Sequence, residues 1–298
     1  MRVQSAVLFL LFAAISAQAQ VPIETFIVQG APTSDQLAQW SALPGTRDYV
    51  IQLSSTEDDL SGLTQLQGAR KITVEFPDFP AEDDIAAWQL LANQGVEFVA
   101  ASAFMPAQVD IDRLNRVGFT QCNIRLSFYP DPADAQRTTQ LGCNPSFEFV
   151  GNYPKYAEKD GVAALPARSP LTFHVDFWPY YTHMDVLNLI PQPIHLWIQG
   201  MYPPADELQY LHNLRRLNQV TVETDFDPIS PDDWKIFGNI NVTWRSKNRV
   251  PSAAGLEAFQ KGGANREFVL ETDRDPSEQE MEVLRQSPLA IRWIHAAP

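Results

Sequence analysis

The chain has 298 residues, with 22 basic against 36 acidic side chains and a formal charge of −14 at neutral pH. A surface of that sign repels phosphate backbones and anionic lipid heads, so neither a nucleic-acid nor a membrane-surface partner is expected. The length is enough for a large core in one or two domains.

Taken in order, residues 1–19 read as a secretory signal peptide. Arg2 is followed by an apolar run from Ala6 to Ile15 and by Ala17-Gln18-Ala19, a small-residue cleavage site after Ala19. The apolar run is too short to span a bilayer, and no later stretch approaches a membrane span, so no membrane insertion is expected. The expected product, residues 20–298, is a single domain in the periplasm or outside the cell.

Alternating apolar and polar residues predict twelve strands: 26–30, 49–53, 72–76, 96–100, 124–128, 147–151, 173–177, 196–200, 220–224, 242–246, 268–272 and 291–295. Between them lie stretches with apolar residues three or four apart, such as Leu60, Leu63 and Leu66, or Ile85, Trp88 and Leu91. Ser230-Pro231-Asp232-Asp233 and Ser277-Glu278-Gln279-Glu280 carry helix-start chemistry. The weakest helical signals are 133–142 and 156–167, the second interrupted by Gly161 and Pro166. Cys122 and Cys143 fall at the entry ends of neighbouring strands, and a disulfide between them is expected in an oxidising compartment.

An aromatic-Pro step closes most strands: Phe79-Pro80, Phe104 with Pro106, Tyr129-Pro130, Tyr153-Pro154, Trp178-Pro179, Tyr202-Pro203 and Phe226 with Pro228. It recurs every 24 or 25 residues. Such recurrence suits a structural spine better than a local ligand platform; Tyr180 and Tyr181 fall outside the ladder and are expected at the surface. Strand-helix-strand units demand parallel strands and right-handed crossovers, which leaves a closed barrel or an open array. Twelve short units are too many for side chains to fill a closed lumen, so the expected fold is α/β, an open right-handed βα solenoid with its parallel sheet on the concave side. Ile72-Thr73-Val74 and Val220-Thr221-Val222, repeated with a helix between, resemble leucine-rich-repeat proteins. The L-x-x-L-x-L-x-x-N consensus is absent, and no functional residues carry over.

One set of alternate strand residues would enter the core, and the other would face the concave surface. The free face reads Thr73, Arg125, Glu148, His174, Trp197, Thr221 and Thr243 in one row. The other is Glu75, Ser127, Val150, Asp176, Gln199, Glu223, Arg245 and Glu271. From these, Glu148, His174, Asp176, Trp197, Gln199, Thr221, Glu223 and Arg245 are the expected ligand-binding residues, for a protein or glycan partner. The alternative is a solvated sheet face with cross-strand charge pairs. A second function is a secreted, glycosidase-like hydrolase with a carboxylate pair, such as Asp176 and Glu223, at strand ends. His183 and His195 read as turn or surface residues. Glu223-Thr224-Asp225-Phe226-Asp227-Pro228 returns as Glu271-Thr272-Asp273-Arg274-Asp275-Pro276, which suits helix starts better than calcium. No cofactor motif occurs, and no metal site is expected. The last strand lacks a following helix, and its bare edge could pair with a second copy as a homodimer.

Overall fold

The alternation places Phe173 and Val175 on one side of a strand and His174 on the other, and the same division holds around the whole protein. The computed structural model describes residues 22–56, 58–200, 209–227 and 230–297. The expected leader, the Tyr202-Pro203 step and Pro228 lie outside these residues. The twelve strands are β1 (Ile23–Gln29), β2 (Arg47–Gln52), β3 (Ala69–Phe76), β4 (Glu97–Ala101), β5 (Gln121–Leu126) and β6 (Asn144–Gly151). They continue as β7 (Leu171–Val175), β8 (Ile194–Gln199), β9 (Leu217–Glu223), β10 (Asn241–Lys247), β11 (Arg266–Glu271) and β12 (Ala290–Ala296).

All neighbours are parallel, and the sheet does not stay open. β1 pairs with β12, with Ile23 opposite Arg292, Thr25 opposite Ile294 and Ile27 opposite Ala296, so the twelve strands form a closed barrel. The open solenoid, and with it the horseshoe resemblance, is therefore corrected. Its premise was that side chains must fill a closed lumen, as in eight-stranded barrels, and that twelve short units leave too wide a space. Here many of the inward side chains near the strand ends are polar and bonded to one another, which tolerates water, while apolar ones such as Val99 and Val269 share the lumen. With every described helix outside, the twist of the sheet curls it one way until first and last strands meet. β12 is paired on both sides, with β11 and β1, so the edge on which a homodimer was expected is occupied within the chain.

Nine helices surround the barrel among the described residues: α1 (Ser34–Ser41), α2 (Ile85–Asn93), α3 (Gln108–Val117), α4 (Pro132–Arg137), α5 (Lys159–Ala163), α6 (Tyr181–Leu187), α7 (Pro231–Lys235), α8 (Ala253–Lys261) and α9 (Glu278–Gln286). Tight helical turns at Ser61–Gln65 and Gln209–Asn213 serve two other crossovers. The Ser277 Oγ accepts from the Glu280 N–H at 3.3 Å while Glu280 Oε2 accepts from the Ser277 N–H at 2.7 Å, a reciprocal cap that starts α9.

The apolar core lies between strands and helices, not inside the barrel. Val74, Phe76, Ile124, Phe147, Phe173, Leu196, Val222, Trp244 and Phe268 are fully buried there against residues such as Trp88, Leu187, Trp234 and Phe259. Cys122, at the entry of β5, is bonded to Cys143 just before β6, with their Cα atoms 5.9 Å apart.

Candidate functional site

The second set of alternate residues points into the lumen. Near the C-terminal ends of the strands these side chains join into a girdle. It starts at β1, where Gln29 donates to Gln52, which donates to Glu75 at 3.3 Å. At this level the inward residues of β4 are the small Val99 and Ala101, so Arg125 of β5 reaches past them. It binds Glu75 through Nη1 at 2.6 Å and Glu148 through Nε at 3.1 Å. Glu148 Oε1 in turn lies 3.0 Å from His174 Nδ1, and the His174 ring stacks on Trp197 at 4.2 Å with an interplanar angle of 9°.

Trp197 continues the chain by donating Nε1–H to Glu223 at 3.1 Å, while the Arg245 guanidinium lies 4.9 Å from the Trp197 ring centroid. Glu223 also accepts from Gln199 at 3.3 Å and pairs with Lys247 at 2.6 Å. Arg245 donates Nε–H to Glu271 at 2.9 Å. Arg125 still keeps 32 % of its side chain in solvent, so water reaches the lumen at girdle level.

Both central carboxylates are held ionised. Burial alone would raise the Glu148 pKa, but the His174 hydrogen bond and the Arg125 charge outweigh it and hold the group below the usual carboxylate range. Glu223 shows the same contest, with burial opposed by Lys247, Arg245 and the Trp197 N–H, and the result is again a lowered pKa.

Six of the eight residues expected from the sequence thus meet in one network: Glu148, His174, Trp197, Gln199, Glu223 and Arg245. Thr221 lies one layer deeper, buried, with its hydroxyl 2.8 Å from His195 Nε2. Asp176 does not join them. β7 ends at Val175, and Asp176 is exposed beyond it. Three girdle members missing from the expected site, Glu75, Arg125 and Glu271, stood in the inward rows. Lys247 fell one residue past the predicted end of its strand.

His195 is neither in a turn nor at the surface. β8 begins at Ile194, which turns His195 into the lumen between Thr172 at 3.2 Å and Thr221. Burial lowers its pKa to about 4. An unfolded chain protonates this histidine below about pH 6.5, whereas the folded protein holds it neutral down to about pH 4. The unfolded state therefore binds more protons in that window, and stability falls as pH drops through it. In His195→Gln, the loss of unfolding free energy between about pH 7 and about pH 5 should be smaller than in the parent, measured by urea titration at each pH. Equal losses in both proteins would refute this role.

The aromatic ladder divides. Phe79, Tyr153 and Trp178 are buried as a spine would be, whereas Phe104 is 70 % and Phe226 54 % exposed. Phe104, Tyr156, Tyr180, Tyr181 and Phe226 are the exposed aromatics among the described residues, and all lie in segments that leave the C-terminal ends of strands. They follow β4, β6, β7 and β9, at the end of the barrel near which the girdle lies. The two acidic loops are tied internally: Thr224 Oγ1 accepts from the Phe226 N–H and Thr272 Oγ1 from the Arg274 N–H, each at 3.1 Å, while Asp227 accepts from the Ser252 N–H at 2.9 Å. Among the described residues no cluster of three or more His, Cys, Asp or Glu is placed to hold a metal ion, and no helix is long and apolar enough to cross a membrane.

No family model matches the chain, and no curated protein or solved structure matches it either.

Proposed function

We propose that this is a non-enzymatic binding protein that receives a glycan at the C-terminal mouth of its barrel. The observation that carries the reading is the lumen girdle, in which Glu148, His174, Trp197, Glu223 and Arg245 hold one another in fixed positions at the barrel end from which the segments with exposed aromatics leave. Directional polar groups fixed before the ligand arrives suit a hydroxyl-rich partner, and exposed rings suit its C–H faces. The surface is acidic, so the partner is not chosen by a phosphate or nucleic-acid backbone. We place the protein in an oxidising compartment, which the Cys122–Cys143 bond suits and which export of the chain would supply.

The hydrolase reading is the weaker one. Glycoside hydrolysis needs one carboxyl group protonated as general acid. Glu148 and Glu223 are instead both held ionised by basic neighbours, and Asp176 stands apart from them.

The test is calorimetric titration with short cello-, malto- and chito-oligosaccharides. The double variant Trp197→Ala, Glu223→Gln should lose at least about tenfold in affinity for whichever oligosaccharide binds, roughly 1.4 kcal/mol. Unchanged affinity would remove the girdle from the site. Binding of none of the three series to the parent protein, with capture of a defined peptide instead, would replace the glycan by a protein partner.

A further inference from the structure

Beside the lumen mouth, over the tops of β5, β6 and β7, lies a second concavity of about 520 Å³. Its connection to the girdle is short: Val150 is the next inward-facing residue after Glu148 on β6, and it lines this pocket. The volume falls in the range of small-molecule sites and exceeds what a single sugar ring needs.

The walls are aromatic and locked. The Tyr129 hydroxyl donates to the Asn152 carbonyl, and the Tyr153 hydroxyl donates to the Phe177 carbonyl at 3.1 Å. Each ring is also packed on another, Tyr129 on Phe149 at 4.8 Å between centroids and Tyr153 on Phe177 at 5.3 Å. A ligand therefore meets surfaces whose rotamer entropy is already lost.

The rim carries hydrogen-bonding groups of both senses. His183 Nδ1 accepts from the Tyr180 N–H at 3.1 Å, which leaves the other ring nitrogen, Nε2, as a donor. Burial lowers the pKa of His183, so the ring is neutral at physiological pH. Among the described residues, neither the Asn152 side-chain amide nor the Lys155 ammonium is spent on a hydrogen bond or ion pair. Glu158 stands beside Lys155 and accepts from its N–H at 2.7 Å. One cation and one anion on the rim cancel, so the pocket selects no net charge.

Aromatic walls with donors and acceptors around their edge suit a ring that is apolar on its faces and hydroxylated on its perimeter. We infer that the pocket between the ends of β5 and β7 binds one neutral hexopyranose unit, stacked against the Tyr129 and Phe177 wall and hydrogen-bonded by Asn152, Lys155 and His183. This deepens the glycan reading of the C-terminal face and rests on it. The pocket would hold one residue of a chain whose neighbouring residues lie over the lumen.

The test is saturation-transfer NMR on the full-length protein with glucose, galactose, mannose, N-acetylglucosamine, glucuronate and glucosamine. At least one neutral hexose should bind, and more tightly than either charged sugar. The variants Asn152→Ala and His183→Gln, both at the rim, should each weaken that binding at least about fivefold with an unchanged melting temperature. No neutral hexose bound, a preference for glucuronate or glucosamine, or binding indifferent to both rim variants would each overturn the inference. In the first case, oligosaccharide binding that still depends on Trp197 and Glu223 would leave the glycan reading standing without this pocket. Loss of hexose binding only in the Trp197 and Glu223 variant would move the sugar into the lumen.

Discussion

Arg266→Met is expected to destabilise the protein by about 3–5 kcal/mol, among the largest effects open to a single substitution. Arg266 opens β11 on the outer face and is only 8 % exposed. Its guanidinium has main-chain carbonyls for partners: Ile240 and Ala264 through Nη1 at 2.9 and 2.8 Å, and Trp234, Gly238 and Gly262 through Nη2 at 3.2–3.4 Å. Trp234 lies in the last turn of α7, and Gly262 caps α8. One cation therefore serves the carbonyl-rich, partially negative ends of two helices. Burial lowers the pKa of the guanidinium, but from a value so high that it stays charged. Methionine keeps the stem and removes every donor, which strands buried carbonyls. Arg266→Lys, with its charge retained and three donors, should fall between the two. A loss below about 1 kcal/mol for the methionine variant in chemical denaturation would show that water serves those carbonyls equally well.

Gly161→Ala should cost about 3 kcal/mol, at the top of the usual range for overpacking. Gly161 sits within α5, where alanine would ordinarily be preferred by roughly 1 kcal/mol. The sign of the effect therefore separates helix propensity from packing. A Cβ at this position would stand 1.8 Å from the Pro130 carbonyl oxygen and 2.9 Å from its carbon, both main-chain atoms that cannot swing aside. α5 must retreat from the segment that leads into α4, or the substitution fails. A melting temperature equal to or above that of the parent would show that the two helices part at little cost.

These two residues also mark where sequence reading stops. Gly161 looked like a helix breaker in a weak helix. In the folded protein it is the residue that lets α5 touch Pro130. Nothing in the sequence around Arg266 marks its role, because its partners are carbonyls, which every residue possesses. The strands were legible for the opposite reason: inward and outward residues differ sharply in chemistry, as at Phe173-His174-Val175, and each strand recurs at a near-constant interval. Alternation also picked out His174, Trp197 and Glu223 as facing one way. It could not show that Arg125 crosses β4 to join Glu75 to Glu148, since that depends on small neighbours at Val99 and Ala101. It overreached by two residues at Asp176 and Phe177, where the strand had already ended, and it began β8 two residues late, which misplaced His195. Closure was hidden most deeply. Pairing of Ile23 with Arg292 leaves no local trace, and the strand count argued against a ring only on the assumption that side chains must fill the lumen.

That ring has a consequence in time. β1 finds one neighbour, β2, almost as soon as the chain emerges, whereas its other neighbour, β12, is the last strand to be made. At about 5–20 residues per second, β1 waits roughly a quarter of a minute to a minute for the strand that completes it. Throughout that interval the segment Ile23–Gln29, rich in Ile, Phe and Val, offers unpaired main-chain groups along one side. The nascent chain is thus a strip with two sticky borders, and the same geometry that leaves the finished protein with no edge makes its assembly dependent on the final strand arriving before a stranger does.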